Sequence, residues 1–183
     1  MVFILLALVI IGAPMGLYYL REYKTSTPRL QWPVLAPILK LDFSPDPPRM
    51  QGTRNGRKMT VDICKTGVRV ATTLARPCRL RVEIGPKDEV ARRAGMIVPD
   101  PVITGDAAFD GRLLARCSDK TAGLQLLDPV LRQRLLAQDH VDILGQDAMV
   151  QWLVPAIKRP DPAEDLLDIL AVFAEELERF PQM

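Results

Sequence analysis

The chain is expected to fold as an α+β domain, an antiparallel β-sheet with two main helices in its C-terminal half, behind an N-terminal transmembrane helix. Three observations in the 183-residue sequence predict this. Residues 2–20 carry no charge, residues 51–84 alternate apolar and polar side chains around turn dipeptides, and two Asp-Pro pairs open leucine-rich helical periods. The elements follow in chain order.

From Val2 to Leu20 the sequence is VFILLALVIIGAPMGLYYL. As a helix rising about 1.5 Å per residue it would be roughly 28 Å long, near the thickness of a bilayer's hydrocarbon core. Tyr18, Tyr19 and Tyr23 gather at its C-terminal end, where amphipathic rings favour headgroups, and Arg21 and Lys24 follow. No basic residue precedes the run and no small-x-small cleavage site follows it. It therefore reads as an uncleaved membrane anchor, with lipid as its partner. Arg21, Lys24 and Arg29 all lie beyond the run, so the positive-inside rule places the remainder on the cytoplasmic side, in a bacterium that of the inner membrane. Gly12 and Gly16 form a small-xxx-small pair that would let two anchors pack, while Pro14 between them favours a kink.

Residues 25–48 carry six prolines, at 28, 33, 37, 45, 47 and 48. Proline removes an amide donor and fixes φ, so neither a long helix nor a central strand is expected there. Residues 30–43 are too apolar to remain solvated. They either lie on the membrane with Trp32 inserted or fold back onto the domain, and the proline spacing, which spoils an amphipathic helix, favours folding back. Residues 44–48 read as a stiff spacer. The organisation is thus an anchor and basic flank (1–24), a proline-rich juxtamembrane linker (25–48) and the α+β domain (49–183).

In that domain, residues 51–53 and 58–64 flank Arg54-Asn55-Gly56, and the Asn-Gly pair supplies the positive φ of a hairpin turn. Met59, Val61 and Ile63 are expected inward, as are Val68 and Val70 of the next strand. Leu80, Val82 and Ile84 alternate with Arg79, Arg81 and Glu83 up to Gly85-Pro86. A meander of three or four strands with one basic face results. A short helical turn at 88–95, a strand at 112–117 and a short helix at 119–127 come next. Asp128-Pro129 pairs an N-cap with a proline at the first helical position, and Leu131, Leu135 and Leu136 line one face of the helix it opens. Residues 141–144 and 149–157 read as a hairpin around Gly145-Gln146-Asp147. Asp161-Pro162 repeats the capping device and opens a final helix to about Arg179. Its core stripe is Leu166, Leu167, Leu170, Phe173, Ala174 and Leu177, opposite Glu164, Asp165, Asp168, Glu175 and Glu178.

The net charge of +2 conceals a division. Residues 49–93 hold twelve Lys or Arg against four acids, and residues 94–183 hold eight against fifteen. Neither half has the stacking aromatics or fold signature of a nucleic-acid binder. Cys64, Cys78 and Cys117 are odd in number and lack CxxC spacing, which suits a reducing compartment. Cys78, between Arg76 and Arg79, has neighbours that would lower a thiol pKa but no base partner.

Two sets of side chains are candidates for function. Asp106 and Asp110, with Asp119 across the adjoining strand, offer oxygen ligands that suit a hard divalent cation in a metal-binding domain or metal-dependent enzyme. The same residues also suit a tight turn, in which Asp106 accepts nearby amides, Phe109 plugs the core and Asp110 caps the next turn. The basic strand face of Arg54, Arg57, Lys58, Arg69, Arg76, Arg79 and Arg81 is a candidate interaction surface. It suits an anionic lipid leaflet, a solvated face, or neutralisation by the acidic final helix. His140, the only histidine, has no companion ligands for zinc, and no phosphate loop, nucleophile elbow or cofactor motif is present.

The run Gly105-Asp106-x-x-Phe109-Asp110, followed by Leu126-Leu127-Asp128-Pro129 and a terminal helix, resembles an uncharacterised family of bacterial membrane-anchored proteins with a Gly-Asp-x-x-Phe-Asp element. The similarity spans residues 48–180 and implies this architecture without an activity. A membrane-tethered, non-enzymatic interaction or assembly module with a protein partner and no cofactor is the function expected from the sequence.

Overall fold

The computed structural model describes residues 28–93 and 98–180, with Gly16 alone beside them. The expected anchor and its Gly12/Gly16 pair otherwise lie outside the described residues. Among the described residues, no helix is long and apolar enough to cross a membrane.

Among the described residues, seven antiparallel strands form one sheet: β1 (Asp42–Pro45), β2 (Pro48–Arg54), β3 (Arg57–Cys64), β4 (Gly67–Pro86), β5 (Asp100–Val102), β6 (Leu113–Cys117) and β7 (Ile143–Val154). Among the described residues six helices accompany it: α1 (Pro28–Ile38), α2 (Lys87–Arg92), α3 (Ala107–Arg112), α4 (Lys120–Leu126), α5 (Pro129–Leu136) and α6 (Pro160–Arg179). The α+β class with a C-terminal helix is as the sequence predicts, and the sheet is larger than a meander.

Its spine is β4, one twenty-residue strand where two shorter ones are expected. Residues 67–72 pair with β3, residues 82–86 pair with β6, and β7 pairs with β4 from Val68 to Ile84, with irregularities around Cys78. The pairing register shifts there but the strand does not end, so β1–β2–β3 and β6–β5 form two wings on one long strand. The β2–β3 turn is the expected one, with Asn55 and Gly56 at φ 50° and 75°. Met59, Val61, Val68, Val70, Val82 and Ile84 are buried as predicted. Ile63 is not: it is about half exposed, and its neighbour Asp62 is buried instead against Arg69.

The expected hairpin at residues 145–147 is absent, and β7 runs straight through it. Gly145 serves close approach rather than a turn: a Cβ there would meet Leu177 Cδ1 at 2.9 Å. Asp147, at φ 54°, pairs with Cys78 between the two register shifts. Helix α6 packs on β4 and β7, and its predicted stripe is wholly buried. Its start departs from expectation, because Arg159 is the N-cap and Asp161 lies inside the first turn. In contrast, Asp119 and Asp128 cap α4 and α5 through their side chains.

The proline-rich stretch is the main correction. Residues 28–38 form a helix despite Pro33 and Pro37 within it, and Trp32, Leu35 and Ala36 are buried. Two missing amide donors weaken such a helix, but tertiary burial of its apolar face outweighs local propensity. The helix ends in a complete Schellman motif: Lys40 takes φ 58°, its N–H donates to Pro37 O, and Leu41 N–H donates to Ala36 O. Residues 42–45 then pair with 48–51 as β1 and β2, so the expected spacer is a hairpin. If α1 is integral to the fold, Trp32→Ala should cost about 3–5 kcal/mol, as for a buried core aromatic. Urea unfolding reads this, and an unchanged midpoint would return the stretch to linker status.

Candidate functional site

The β2–β3 hairpin tip projects two arginines onto α6. Cross-strand partners Arg54 and Arg57 flank the Asn-Gly turn. Arg54 donates from Nε and Nη2 to the two carboxylate oxygens of Asp168, at 2.6 and 2.9 Å, and from Nη2 to Glu164 at 2.7 Å. Arg57 grips Glu178 with two parallel bonds of 2.8 and 2.7 Å, and Glu178 also accepts the Ala75 amide. Fork-to-carboxylate geometry makes these the strong kind of ion pair. Asp168 and Glu178 are ten residues apart on a helix, about 15 Å along its axis, so one hairpin tip is fixed to both halves of α6.

These arginines lower the carboxylate pKa values. The Arg54 hydrogen bond is the largest influence holding Asp168 below its usual range, and the Arg57 hydrogen bond acts likewise on Glu178. Partial burial opposes both shifts.

The predicted basic face is therefore divided. Arg54 and Arg57 reach α6, Arg69 pairs with Asp62 at 2.7 Å, and Arg81 pairs with Glu83 at 2.6 Å. Lys58, Arg76 and Arg79 are exposed. Much of the charge that would meet an external anion is neutralised by the acidic final helix and by neighbouring strands.

The turn before α3 holds the candidate carboxylates. Asp106 is the N-cap of α3: its Oδ1 accepts the Ala108 and Phe109 amides, and its Oδ2 accepts from Arg132 Nη1 at 3.2 Å. Asp110 reaches back rather than forward, accepting from the amide and hydroxyl of Thr104 and, at 2.9 Å, from the Gly105 amide. Gly105 stands at φ 78°, and Phe109 is fully buried. Asp119 caps α4 by accepting the Thr121 and Ala122 amides. Each of the three aspartates thus fixes backbone. Among the described residues, no three His, Cys, Asp or Glu come together as a metal-binding group.

Two adjoining clefts of about 510 and 600 Å³ lie beyond β7 and share Asp139, His140, Val154 and Pro155. The Arg93–Asp142 ion pair, at 2.7 Å, lies in the first. His140 takes its place through its backbone, whose carbonyl accepts from Trp152 Nε1 at 3.0 Å. Sequence periodicity gives no sign of these clefts, because their walls combine β7 and the loop before it with the end of β4 and with α2 in the first cleft, and with the start of α6 in the second. All three cysteines are free. Cys78 is buried as a core residue, burial raises the Cys117 thiol pKa, and a hydrogen bond with Thr66 lowers that of Cys64.

No protein-family model and no curated protein sequence matches the chain. Among solved structures, the crystal structure of the mycobacterial trehalose monomycolate transport factor A, TtfA, is similar, with a TM-score of 0.64 and 11% sequence identity. The match covers 85% of this chain and 97% of that chain. At this identity the likeness is one of fold.

Removing one partner of a half-buried bidentate pair leaves the other uncompensated, so Arg57→Ala should cost about 1–3 kcal/mol in urea unfolding. The depressed carboxylates also set an acid limit. Their contribution is present above the unfolded pKa and is lost as pH falls through the lower folded value, that is, below about pH 4. Asp168→Asn with Glu178→Gln should therefore be less stable than the parent at pH 7 and should lose less stability on acidification. Parallel stability–pH curves would contradict the clasp.

Proposed function

We propose that the chain is a membrane-tethered, non-enzymatic module that assembles with a transport apparatus. The observation that carries this reading is the fold shared with nearly the whole length of a protein named as a transport factor. Two further features support it. An uncharged run of nineteen residues precedes the domain. The charged groups singled out in the sequence largely serve the fold: the three candidate aspartates cap helices and turns, and at least four of the seven candidate basic residues hold carboxylates. Such a domain acts through the surface it presents and the place where it is held. The positive flank of Arg21, Lys24 and Arg29 favours the cytoplasmic side.

Fractionation and mild crosslinking of native membranes test this. The full chain should resist alkaline extraction, and deletion of residues 2–20 should release it. Crosslinking should then recover one stoichiometric polytopic transport protein. Release of the full chain by high salt would contradict the tether, and recovery of the chain alone would contradict the assembly role.

A further inference from the structure

Helix α1 is apolar on two sides. Trp32, Leu35 and Ala36 face the domain core. On the outside, Leu30, Val34 and Ile38 are 52%, 67% and 53% exposed. Their i, i+4, i+8 spacing puts them in one row along the helix, and exposed Pro33 and Pro37 fill the neighbouring row. Charge appears only at the two ends, at exposed Arg29 and Lys40. A surface helix normally turns a polar face outward, and one that is apolar all round is normally covered on every side.

The chain itself indicates what covers the outer side. Only residues 21–27 separate Leu20 from Pro28, and seven residues reach at most about 25 Å even when fully extended. If residues 2–20 span a bilayer, α1 is confined to the zone just outside it. The flanking charges lean the same way: Arg21, Lys24, Arg29 and Lys40 outnumber Glu22, and Arg29 stays largely exposed although Asp46 lies 3.9 Å away, which suits anionic headgroups.

We propose that the Leu30–Val34–Ile38 face of α1 rests in the headgroup–acyl boundary of the same bilayer, with Arg29 and Lys40 at phosphate level. This rests on reading residues 2–20 as an anchor. Three apolar side chains on so short a helix would bind lipid weakly on their own. The tether changes that, because a short linker gives the second contact an effective concentration in the mM range. The contact makes α1 a brace that fixes the angle of the domain. It turns the β1–β2 wing toward the membrane and leaves β5, at the other end of the strand order, away from it.

The test uses the full chain carrying Cys64→Ser, which removes the partly exposed thiol and leaves only buried Cys78 and Cys117. An environment-sensitive dye is attached at Val34→Cys and, in a second protein, at Leu30→Cys. Ile103→Cys, 76% exposed just beyond β5, serves as the reference position. The proteins are placed in nanodiscs of phosphatidylethanolamine and phosphatidylglycerol containing nitroxide-labelled lipid. Dyes at positions 30 and 34 should shift to the blue and be quenched several-fold more strongly than the dye at 103. Equal, water-like signals at all three positions in disc-bound protein would overturn the brace while leaving the anchor standing. Dyes shielded from water yet untouched by lipid nitroxide would show that protein covers the face, which also overturns it. Failure of the chain to enter discs would remove the anchor, and the brace with it.

Discussion

The pairing of β4 with β7 is the constraint on which the other elements depend. Twenty residues of continuous strand provide a ladder to which β3 and β6 attach at different halves, so the two wings share one backbone. A strand of that length has a face that must be covered, and α6 covers it with Leu166, Leu170, Phe173 and Leu177. Gly145 permits the close approach: with no Cβ on β7 at that point, Leu177 and Phe173 seat directly on the strand. The buried Trp152 then ties β7 to the loop before it through its indole N–H and the His140 carbonyl. The segment at Asp139 and His140, which both clefts share, is thereby held to β7.

Electrostatics fasten what burial assembles. A basic N-terminal half and an acidic C-terminal half would suggest a bipolar surface if the two never met. Instead Arg54 and Arg57 carry charge from the sheet onto Glu164, Asp168 and Glu178 of α6. Each arginine also fixes geometry, because a planar fork accepts a carboxylate in few orientations. The sheet's hairpin tip and the helix's two ends are thus registered by directional bonds as well as by nonspecific apolar contact. Charge division along a sequence can therefore signal an internal interface as readily as an external partner.

Elements whose signals are local were legible in the sequence. The Asn55-Gly56 turn, the Asp128 cap and the stripe of α6 depend on neighbours within a few residues, and each is present. Where tertiary contact overrides local chemistry, the sequence misled. Gly145-Gln146-Asp147 has turn composition, yet its glycine serves helix packing. Pro33 and Pro37 argue against a helix, yet burial of Trp32 and Leu35 sustains one. Asp161-Pro162 resembles a cap but falls inside the first turn. At the candidate site, the turn role of Asp106 was readable, but the backward reach of Asp110 and the link to Arg132 were not. Both depend on contacts that sequence spacing does not encode.

The central physical claim is that the stretch after the apolar segment is part of the domain, so that whatever holds the N-terminus also positions the sheet. Amide hydrogen exchange on the full chain in lipid nanodiscs measures this directly. Amides of Leu35, Ala36 and Ile38 in α1, and of Leu39 and Leu41 in the motif that ends it, should exchange at the slow rate of β2 and β3 and open together with them. Exchange of those amides at the rate of an unstructured linker, with the sheet still protected, would contradict it.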